Sequence, residues 1–420
     1  MEFKDREFIP VLLGGDINTY SVARAFYEQY QVKTYIFGKF ATGPSYGSKI
    51  IEYHPNPKID TDDYFLQTVN GFAKKHKDKK IMLIGCGDSY VALISKHKAE
   101  LEKNIIAPYI DFDLMNSLQQ SILSLYNYDE DPDNVDPYQT LLKGISILAK
   151  LPSMAAYAYQ SKIHYYDRES LIIHYPKEEY SIAENLLYML RRDGTFTEQE
   201  ADLLDVMLMI HADHGGGNNS TFTNVVISST GTDIYSSITA SIGSLKGPKH
   251  GGANIRCSEM ISAIEKEIGL KATDAQIKQV IKRILDKEFY DNTGLVYGLG
   301  HAVYTVSDPR ADLLKTCCEK LAKQKKREDE YEFLTRFEKV AKETLAGNGK
   351  TLSNNVDFYS GFAYNMLQIP EDMYTPLFVC ARMAGWLAHN IENKMYDGKI
   401  MRPAFKYVGE ATPYKKREER

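Results

Sequence analysis

Short apolar runs alternate with amphipathic stretches over the first part of the chain. Residues 8–13 form an apolar run that ends in Gly14-Gly15-Asp16, and residues 18–30 repeat apolar side chains at helical spacing. The same patterns predict strands at 32–37, 81–84 and 105–109, and helices after the Thr61-Asp62-Asp63 cap and at 89–101. This order predicts an open, mostly parallel sheet with helices on both faces.

The pattern changes near residues 111–116, and beyond them the chain has mainly helical periodicity. Helices are predicted at 114–126, 138–163, 231–245, 251–268, 273–288, 308–323, 328–345, 356–368 and 371–394, with two more behind the capping boxes that start at Ser181 and Thr197. We therefore place a domain boundary near residue 112 and expect an all-α region after it.

Charge and cysteine content exclude several classes of protein. The 420 residues include 51 basic and 56 acidic side chains without basic stripes, which gives no support for nucleic-acid binding. Five cysteines without a Cys-x-x-Cys pair favour neither a disulfide framework nor a zinc ribbon. No apolar stretch is long enough to span a bilayer. We expect a cytoplasmic protein with neither a nucleic-acid nor a membrane partner.

Three segments carry acid and base side chains: residues 247–252 with His250 and residues 298–301 with His301, both beside glycines, and residues 355–357 with Asp357. A partly buried carboxylate can remove a proton from a weak carbon acid while a neutral imidazole N–H donates to the oxygen where charge develops. These roles suit Asp357 and His250, and His301 could polarise a second carbonyl. A lone histidine is more often a hydrogen-bonded core or surface residue, so the hypothesis depends on all three together.

Arginines, ending with Arg402, accompany these segments and suggest a dicarboxylate substrate, because a guanidinium grips a carboxylate with two parallel hydrogen bonds. His211 and His214 would share a helix face and could bind a metal ion, but the sequence lacks the His-Glu-x-x-His spacing of zinc proteases. We prefer a substrate-facing His214 beside the glycine-rich loop 215–219 and predict no metal site.

From about Leu114 onward the chain resembles citrate synthase. The matching stretches are residues 211–222, 247–254, 298–310 (GLGHAVYTVSDPR), 355–361 (NVDFYSG) and Arg402-Pro403, in the order and spacing of that family. The resemblance implies condensation of oxaloacetate with acetyl-CoA to citrate and free CoA. It also implies an all-α homodimer with a large and a small domain, acetyl-CoA as co-substrate and no tightly bound cofactor.

The resemblance also assigns roles to single residues. His250 and Asp357 would form the enol of acetyl-CoA, and His301 would activate the oxaloacetate carbonyl. The substrate carboxylates would be held by His214, Asn218, Arg310, Arg382 and Arg402, the last reaching into the site of a partner subunit. CoA would be bound by Gly298, Leu299 and Gly300 at the adenine and by Lys350 at a phosphate.

The first 112 residues resemble a different family, through residues 8–18 and 83–90. They are similar to the leading domain of ATP-grasp carboxylate-amine ligases such as D-aspartate ligase. Within them, residues 85–89 lie between strand and helix as a nucleotide loop would, but Tyr90 replaces the third glycine of the dinucleotide fingerprint, so a tight turn is the preferred interpretation.

Together these patterns predict three domains: an α/β domain at 1–112, a citrate-synthase-like large domain at 113–251 and 359–420 without its opening helices, and a small domain at 252–358. The leading functional hypothesis is citrate synthase. The alternatives are 2-methylcitrate synthase, which would use propionyl-CoA, and a catalytically inactive fusion that serves as a dimerisation scaffold. An amino-acid ligase is suggested by the α/β domain only.

Overall fold

The computed structural model describes residues 3–108, 113–167, 169–300, 307–346, 352–396, 398–404, 406, 408–409 and 413–419. The chain divides into two compact units. The first contains Met1–Leu118, Pro152–Asp205 and Ala363–Pro376, and the second contains Gln119–Leu151, Val206–Phe362 and Leu377–Arg420. In the described part, no helix is both long and apolar enough to cross a membrane.

A five-stranded parallel sheet forms part of the first unit. Its strands and helices are β1 (Phe8–Leu13), α1 (Ile17–Tyr30), β2 (Thr34–Gly38), β3 (Ile51–Pro55), α2 (Asp62–Lys75), β4 (Lys80–Gly85), α3 (Asp88–Lys96) and β5 (Ile105–Ile106). The strand order is β3-β2-β1-β4-β5, and every pairing is parallel. The predicted parallel sheet is confirmed. The additional edge strand β3 was missed because Glu52, Tyr53 and His54 interrupt the apolar pattern.

Alternation along β1 explains why helices cover both faces of the sheet. Leu12 packs into a core with Ala23 of α1, whereas Val11 and Leu13 pack into another core with Phe65 of α2. Successive side chains of a strand point to opposite faces, so a strand that is apolar at every position must be covered on both sides.

The rest of the chain is helical, as predicted. The helices are α4 (Leu114–Leu125), α5 (Pro137–Tyr165), α6 (Ile182–Leu190), α7 (Glu198–His211), α8 (Asn219–Ser228), α9 (Ile234–Lys246), α10 (Ala253–Ile268), α11 (Asp274–Leu285), α12 (Pro309–Lys325), α13 (Glu328–Ala346), α14 (Asp357–Met366) and α15 (Tyr374–Met395). Each helix predicted by range is found, with ends that differ by up to three residues. Both predicted capping boxes are present, at Ser181 with Glu184 and at Thr197 with Glu200.

Four helices of the second unit begin at or beside residues with predicted functions. Asn218 caps α8, Gly252 precedes α10 two residues after His250, Asp308 caps α12 next to Arg310, and Asp357 begins α14. The start of an α-helix carries unsatisfied N–H groups and a partial positive charge. The second unit therefore places its candidate residues where anions are bound favourably.

Candidate active site

The imidazole of His250 is held by the start of α8. Its Nε2 atom lies 3.1 Å from the hydroxyl oxygen of Ser220, and its backbone N–H donates to the carbonyl oxygen of Gly247 at 2.8 Å. Burial, together with the positive charge of Arg382, lowers the pKa of His250 below its ordinary value. The ring is therefore neutral near pH 7, as a hydrogen-bond donor to a developing oxyanion requires.

Ser220 connects three side chains, and its single proton decides the tautomer of His250. The indole Nε1–H of Trp386 can only donate, and it lies 3.1 Å from the Ser220 oxygen. The Ser220 proton can go to Asn218 Oδ1, 2.8 Å away, or to His250 Nε2. When it goes to His250, the imidazole carries its own proton on Nδ1, which is then available to a ligand.

Asp357 is positioned by pairing between two loops of the predicted site. The backbone N–H of Gly300 donates to the carbonyl oxygen of Ser353 at 2.8 Å, and that of Asn355 donates to the carbonyl oxygen of Gly298 at 3.1 Å. The Asn355 side chain then accepts from the backbone N–H of Asp357 at 3.0 Å. The segment predicted to bind CoA is thus fixed to the segment that delivers the predicted base.

Gly298 makes this pairing possible. Its φ of 82° lies in the left-handed region, and a Cβ there would approach the Phe358 ring to 2.9 Å. Gly300 also has a positive φ, of 93°. Two other predicted residues, His301 and Lys350, lie outside the described residues.

The environment of Asp357 makes it a better base than an exposed carboxylate. Burial raises its pKa to about 6, although the charges of Arg310 and Arg382 and a hydrogen bond from Asn254 act in the opposite direction. The neighbouring charge of Asp308 adds to the increase. Asp357 is therefore mostly ionised at pH 7 and retains a pKa close to neutral, which suits a general base.

Arg382 is buried and not fully hydrogen-bonded. Its side chain is 1% exposed, its Nε–H donates to the carbonyl oxygen of His211 at 2.7 Å, and its guanidinium lies 4.6 Å from the Phe378 ring centre. Its buried Nη1 has no hydrogen-bond partner among the described residues. Burial lowers its pKa to about 10, so it remains a cation. A buried cation with an unused donor is suited to an anionic ligand.

Arg310 and Arg402 have different surroundings. Arg310 makes a bidentate pair with the buried Asp308, with Nε–Oδ1 at 3.0 Å and Nη2–Oδ2 at 2.7 Å. The charges of Arg310 and Arg382 both act on Asp357. Arg402 is exposed, and the neighbouring Met401 N–H donates to the Ser229 hydroxyl at 3.1 Å. No described contact joins Arg402 to the other predicted residues.

His211 and His214 differ in burial. His211 is a core residue whose Nδ1–H donates to the carbonyl oxygen of Met207 at 2.7 Å, and burial lowers its pKa to about 4. His214 is half-buried at the start of the glycine-rich loop that leads to Asn218. Within the described ranges, no group of three or more His, Cys, Asp or Glu side chains could hold a metal ion. All five cysteines are free.

A cavity of about 400 Å³ lies in the first unit, at the carboxyl ends of β1, β2 and β4. Two of its charged lining residues are already engaged, because Asp16 accepts from the Thr19 N–H that it caps and Lys39 pairs with Asp60 at 2.6 Å. A Cβ on Gly85 would come within 2.8 Å of the α3 backbone. This close packing of α3 on β4 supports the tight-turn interpretation of residues 85–89.

The family model of the citrate synthase C-terminal domain matches residues 88–404. The chain belongs to the citrate synthase family. It is 37% identical over 300 residues to citrate synthase of Haloferax volcanii, covering 70% of this chain and 72% of the relative. It is 36% identical over 318 residues to citrate synthase 2 of Bacillus subtilis, covering 74% and 78%. A 2-methylcitrate synthase of Shewanella oneidensis is 34% identical, covering 63% and 64%.

Solved citrate synthases share this fold. The enzyme of Thermotoga maritima matches with a TM-score of 0.56 and 29% identity, over 78% of this chain and 77% of that one. A Thermoplasma acidophilum citrate synthase, solved as a ternary complex with carboxymethyl coenzyme A and oxaloacetate, matches with a TM-score of 0.57 and 26% identity, over 73% and 76%. The predicted acyltransferase class is thereby confirmed. The family match begins at residue 88, earlier than Leu114, where the resemblance was predicted to begin.

Ser220, Trp386 and Asn254 belong to the site but were not predicted from the sequence. Ser220 and Asn254 lie inside the matching stretches 211–222 and 247–254, so their position in a motif was the available signal. Trp386 is the only tryptophan and is completely buried, but no local pattern connects it to His250.

Proposed function

We propose that the chain condenses acetyl-CoA with oxaloacetate to give citrate and CoA. One observation carries the proposal: the buried Arg382, whose Nη1 donor is unused among the described residues, acts electrostatically on both His250 and Asp357. A dicarboxylate bound to that donor would lie beside a neutral imidazole and a carboxylate of raised pKa. Proton removal from a carbon next to a carbonyl requires this combination.

In the first step, Asp357 takes a proton from the methyl group of acetyl-CoA, and the His250 N–H donates to the thioester oxygen. The negative charge that leaves the carboxylate develops on that oxygen, where a neutral donor stabilises it. With Ser220 donating to Nε2, the active donor of His250 is Nδ1–H.

In the second step, the enolate carbon attacks the ketone carbon of oxaloacetate and the thioester carbonyl re-forms. The new alkoxide oxygen takes up one proton, which balances the proton that Asp357 removed. We assign the polarisation of that ketone to His301 on its motif context. The product of this step is still a thioester, so water must cleave it to release citrate and CoA.

Arg382 and Arg310, with His214 and Asn218, are proposed to hold the carboxylates of oxaloacetate. Arg402 is proposed to complete the site of a partner subunit, in agreement with its exposure and its lack of contact with the other predicted residues in the described chain. Gly298, Leu299 and Gly300 are proposed to bind the adenine of CoA, and Lys350 a CoA phosphate.

The test is release of free thiol from acetyl-CoA with and without oxaloacetate. Release that depends on oxaloacetate supports the proposal. Faster release from propionyl-CoA would favour a 2-methylcitrate synthase, an activity named among the relatives. No release from either thioester, in a preparation that melts cooperatively, would favour the inactive scaffold.

A homodimer is also proposed, because α5 exposes apolar side chains along one face. Tyr138, Leu142 and Ile145 are 63%, 45% and 52% exposed and lie three or four residues apart. Leu142→Glu should shift the elution volume to that of a monomer, whereas Leu313→Glu, at an exposed position of α12, should leave it unchanged. A wild-type chain that elutes as a monomer would contradict the proposal.

For the overall organisation, we propose the three domains predicted from the sequence: residues 1–112, then 113–251 with 359–420, and 252–358. The resemblance of the first of these to the leading domain of ATP-grasp ligases is retained as a proposal, supported by its five parallel strands. A cytoplasmic location is likewise proposed and is compatible with five free cysteines.

A further inference from the structure

Asn254 connects the starts of two helices at the candidate site. It lies in the first turn of α10, is 9% exposed, and donates through its amide nitrogen to the Ser360 hydroxyl in the first turn of α14. α14 begins with Asp357, three residues before Ser360, so both side chains lie on the same face of that helix.

The amide of Asn254 also acts on the carboxylate of Asp357, whose pKa it lowers. An ionised carboxylate only accepts hydrogen bonds, so the amide must turn its NH₂ group toward Asp357. This NH₂ group has two hydrogens, of which one is donated to Ser360 and the other is left for Asp357. The Oδ1 atom of Asn254 is then left buried without a hydrogen-bond partner among the described residues.

An unpartnered buried acceptor destabilises a protein, so the orientation of this amide is not explained by stability alone. The reverse orientation would place the oxygen against the Asp357 carboxylate, where two acceptors repel. Asp357 therefore dictates how Asn254 is turned, and Ser360 fixes it there.

We propose that Asn254 is a positioning residue that holds the Asp357 carboxylate in one orientation. The inference rests on the proposed function, in which Asp357 removes the proton from acetyl-CoA. Asn254 itself would not contact the reacting carbon.

Several other groups act on Asp357. Arg310 and Asp308 act from the start of α12 with opposite signs, and Arg382 acts from α15 with the sign of Arg310. The buried Cys257 lies on α10, and burial raises its pKa well above the ordinary range, so it is uncharged near pH 7. Asn254 opposes the effect of burial on the pKa of Asp357 without carrying a charge. Its removal therefore leaves that effect less opposed.

Asn254→Ala tests the proposal in the full-length chain. The acidic limb of the profile of kcat/KM against pH should move upward by about one pH unit, because one hydrogen bond to the ionised form is lost. At pH 7, kcat should fall about tenfold, since a base that is less ionised and less well oriented removes the proton more slowly. The KM for oxaloacetate should stay within about twofold, because the arginines are unchanged.

Ser258→Ala is the matched control. Ser258 lies one turn further along α10, next to Gly361 of α14, so it belongs to the same helix pair without contacting Asp357. A purely structural role of Asn254 would lower the melting temperature and leave the acidic limb in place, as expected for the control. That outcome would overturn the proposal.

A second readout does not need turnover. The protonated Asp357 carboxyl has a C=O stretching band that Asp357→Asn removes, so infrared difference spectra give its pKa directly. This pKa should be higher in Asn254→Ala than in the wild type even if the wild-type chain proves inactive, which would refute only the proposed function. Asn254→Ser replaces Asn254→Ala if the latter does not melt cooperatively, and an unchanged pKa in the folded variant refutes the positioning role.

Discussion

His250 Nε2 and the Ser220 hydroxyl oxygen are 3.1 Å apart, although 30 positions separate the two residues in the chain. The hydroxyl oxygen also accepts from Trp386 Nε1–H, so the position of Ser220 is fixed by a buried indole. Since Ser220 has only one proton to donate, its choice between His250 and Asn218 selects which imidazole nitrogen carries a hydrogen. The Ser220 hydroxyl at the start of α8 thus determines which imidazole nitrogen of His250, just before α10, is a hydrogen-bond donor.

Ser220→Ala should reduce kcat about tenfold, which corresponds to the loss of one hydrogen bond of about 1.4 kcal/mol that orients the imidazole. Steady-state kinetics with acetyl-CoA measure the effect. Ser244→Ala is a suitable control, because Ser244 donates to Asn219 Oδ1 at an exposed position. Equal rates for both variants would show that Ser220 does not orient His250.

Asp357→Gly should abolish condensation and leave oxaloacetate binding nearly intact. The carboxylate acts on acetyl-CoA, whereas the substrate carboxylates are assigned to Arg382 and Arg310. Isothermal calorimetry with oxaloacetate, beside a thiol-release assay, separates the two effects. Loss of oxaloacetate binding in a folded variant would contradict the assignment of Asp357 as the base.

Asp357→Asn should stabilise the protein near pH 7.5 and have little effect near pH 4. The folded carboxyl has a pKa of about 6, above the unfolded value near 4, so the folded state binds the proton more tightly. The contribution of this carboxyl to the free energy of unfolding is present below pH 4. It decreases by on the order of 3 kcal/mol as the pH rises through 6. Urea unfolding at the two pH values measures it, and equal effects at both would refute the raised pKa.

Glu338 should show the opposite dependence on pH. Burial alone would raise its pKa, but hydrogen bonds from Lys315, Lys342 and Tyr359 lower it to about 2. The folded value lies below the unfolded one, so its stability is present above about pH 4.5 and is lost as pH falls toward 2. Glu338→Gln should therefore destabilise the protein at pH 7 by about 3 kcal/mol and much less near pH 2, as measured by urea unfolding. A loss that is the same at both pH values would contradict this.

Arg382→Lys should weaken oxaloacetate binding by at least about 2 kcal/mol, because an ammonium cannot reproduce the planar pair of donors. Arg191→Lys offers a matched control. Arg191 forms a largely buried bidentate pair with Glu200 in the first unit, so its replacement should cost stability and not binding. Calorimetry and thermal melting of both variants distinguish the roles, and similar oxaloacetate affinities would contradict the substrate role of Arg382.

Local patterns were sufficient for the elements other than β3 and for the motif residues. The apolar runs of β1 and β4 predicted the parallel sheet, and capping boxes predicted the starts of α6 and α7. In the described sheet, the edge strand β3 pairs with another strand on one side only. Its polar residues therefore gave no apolar run that would predict a strand. His250 was predicted from its glycine-rich context, Asp357 as the carboxylate that accompanies the two histidines, and both from family resemblance.

The sequence by itself determined most of the elements, which family the chain belongs to and which side chains could carry out the chemistry. Only the tertiary structure decided that Ser220 faces His250, that Asn254 bonds to Ser360 one turn after Asp357, and that Arg382 has an Nη1 donor without a partner among the described residues. The physical reason is that hydrogen-bond direction and the desolvation that shifts a pKa depend on atoms brought together from distant helices. No local pattern of residues contains that information.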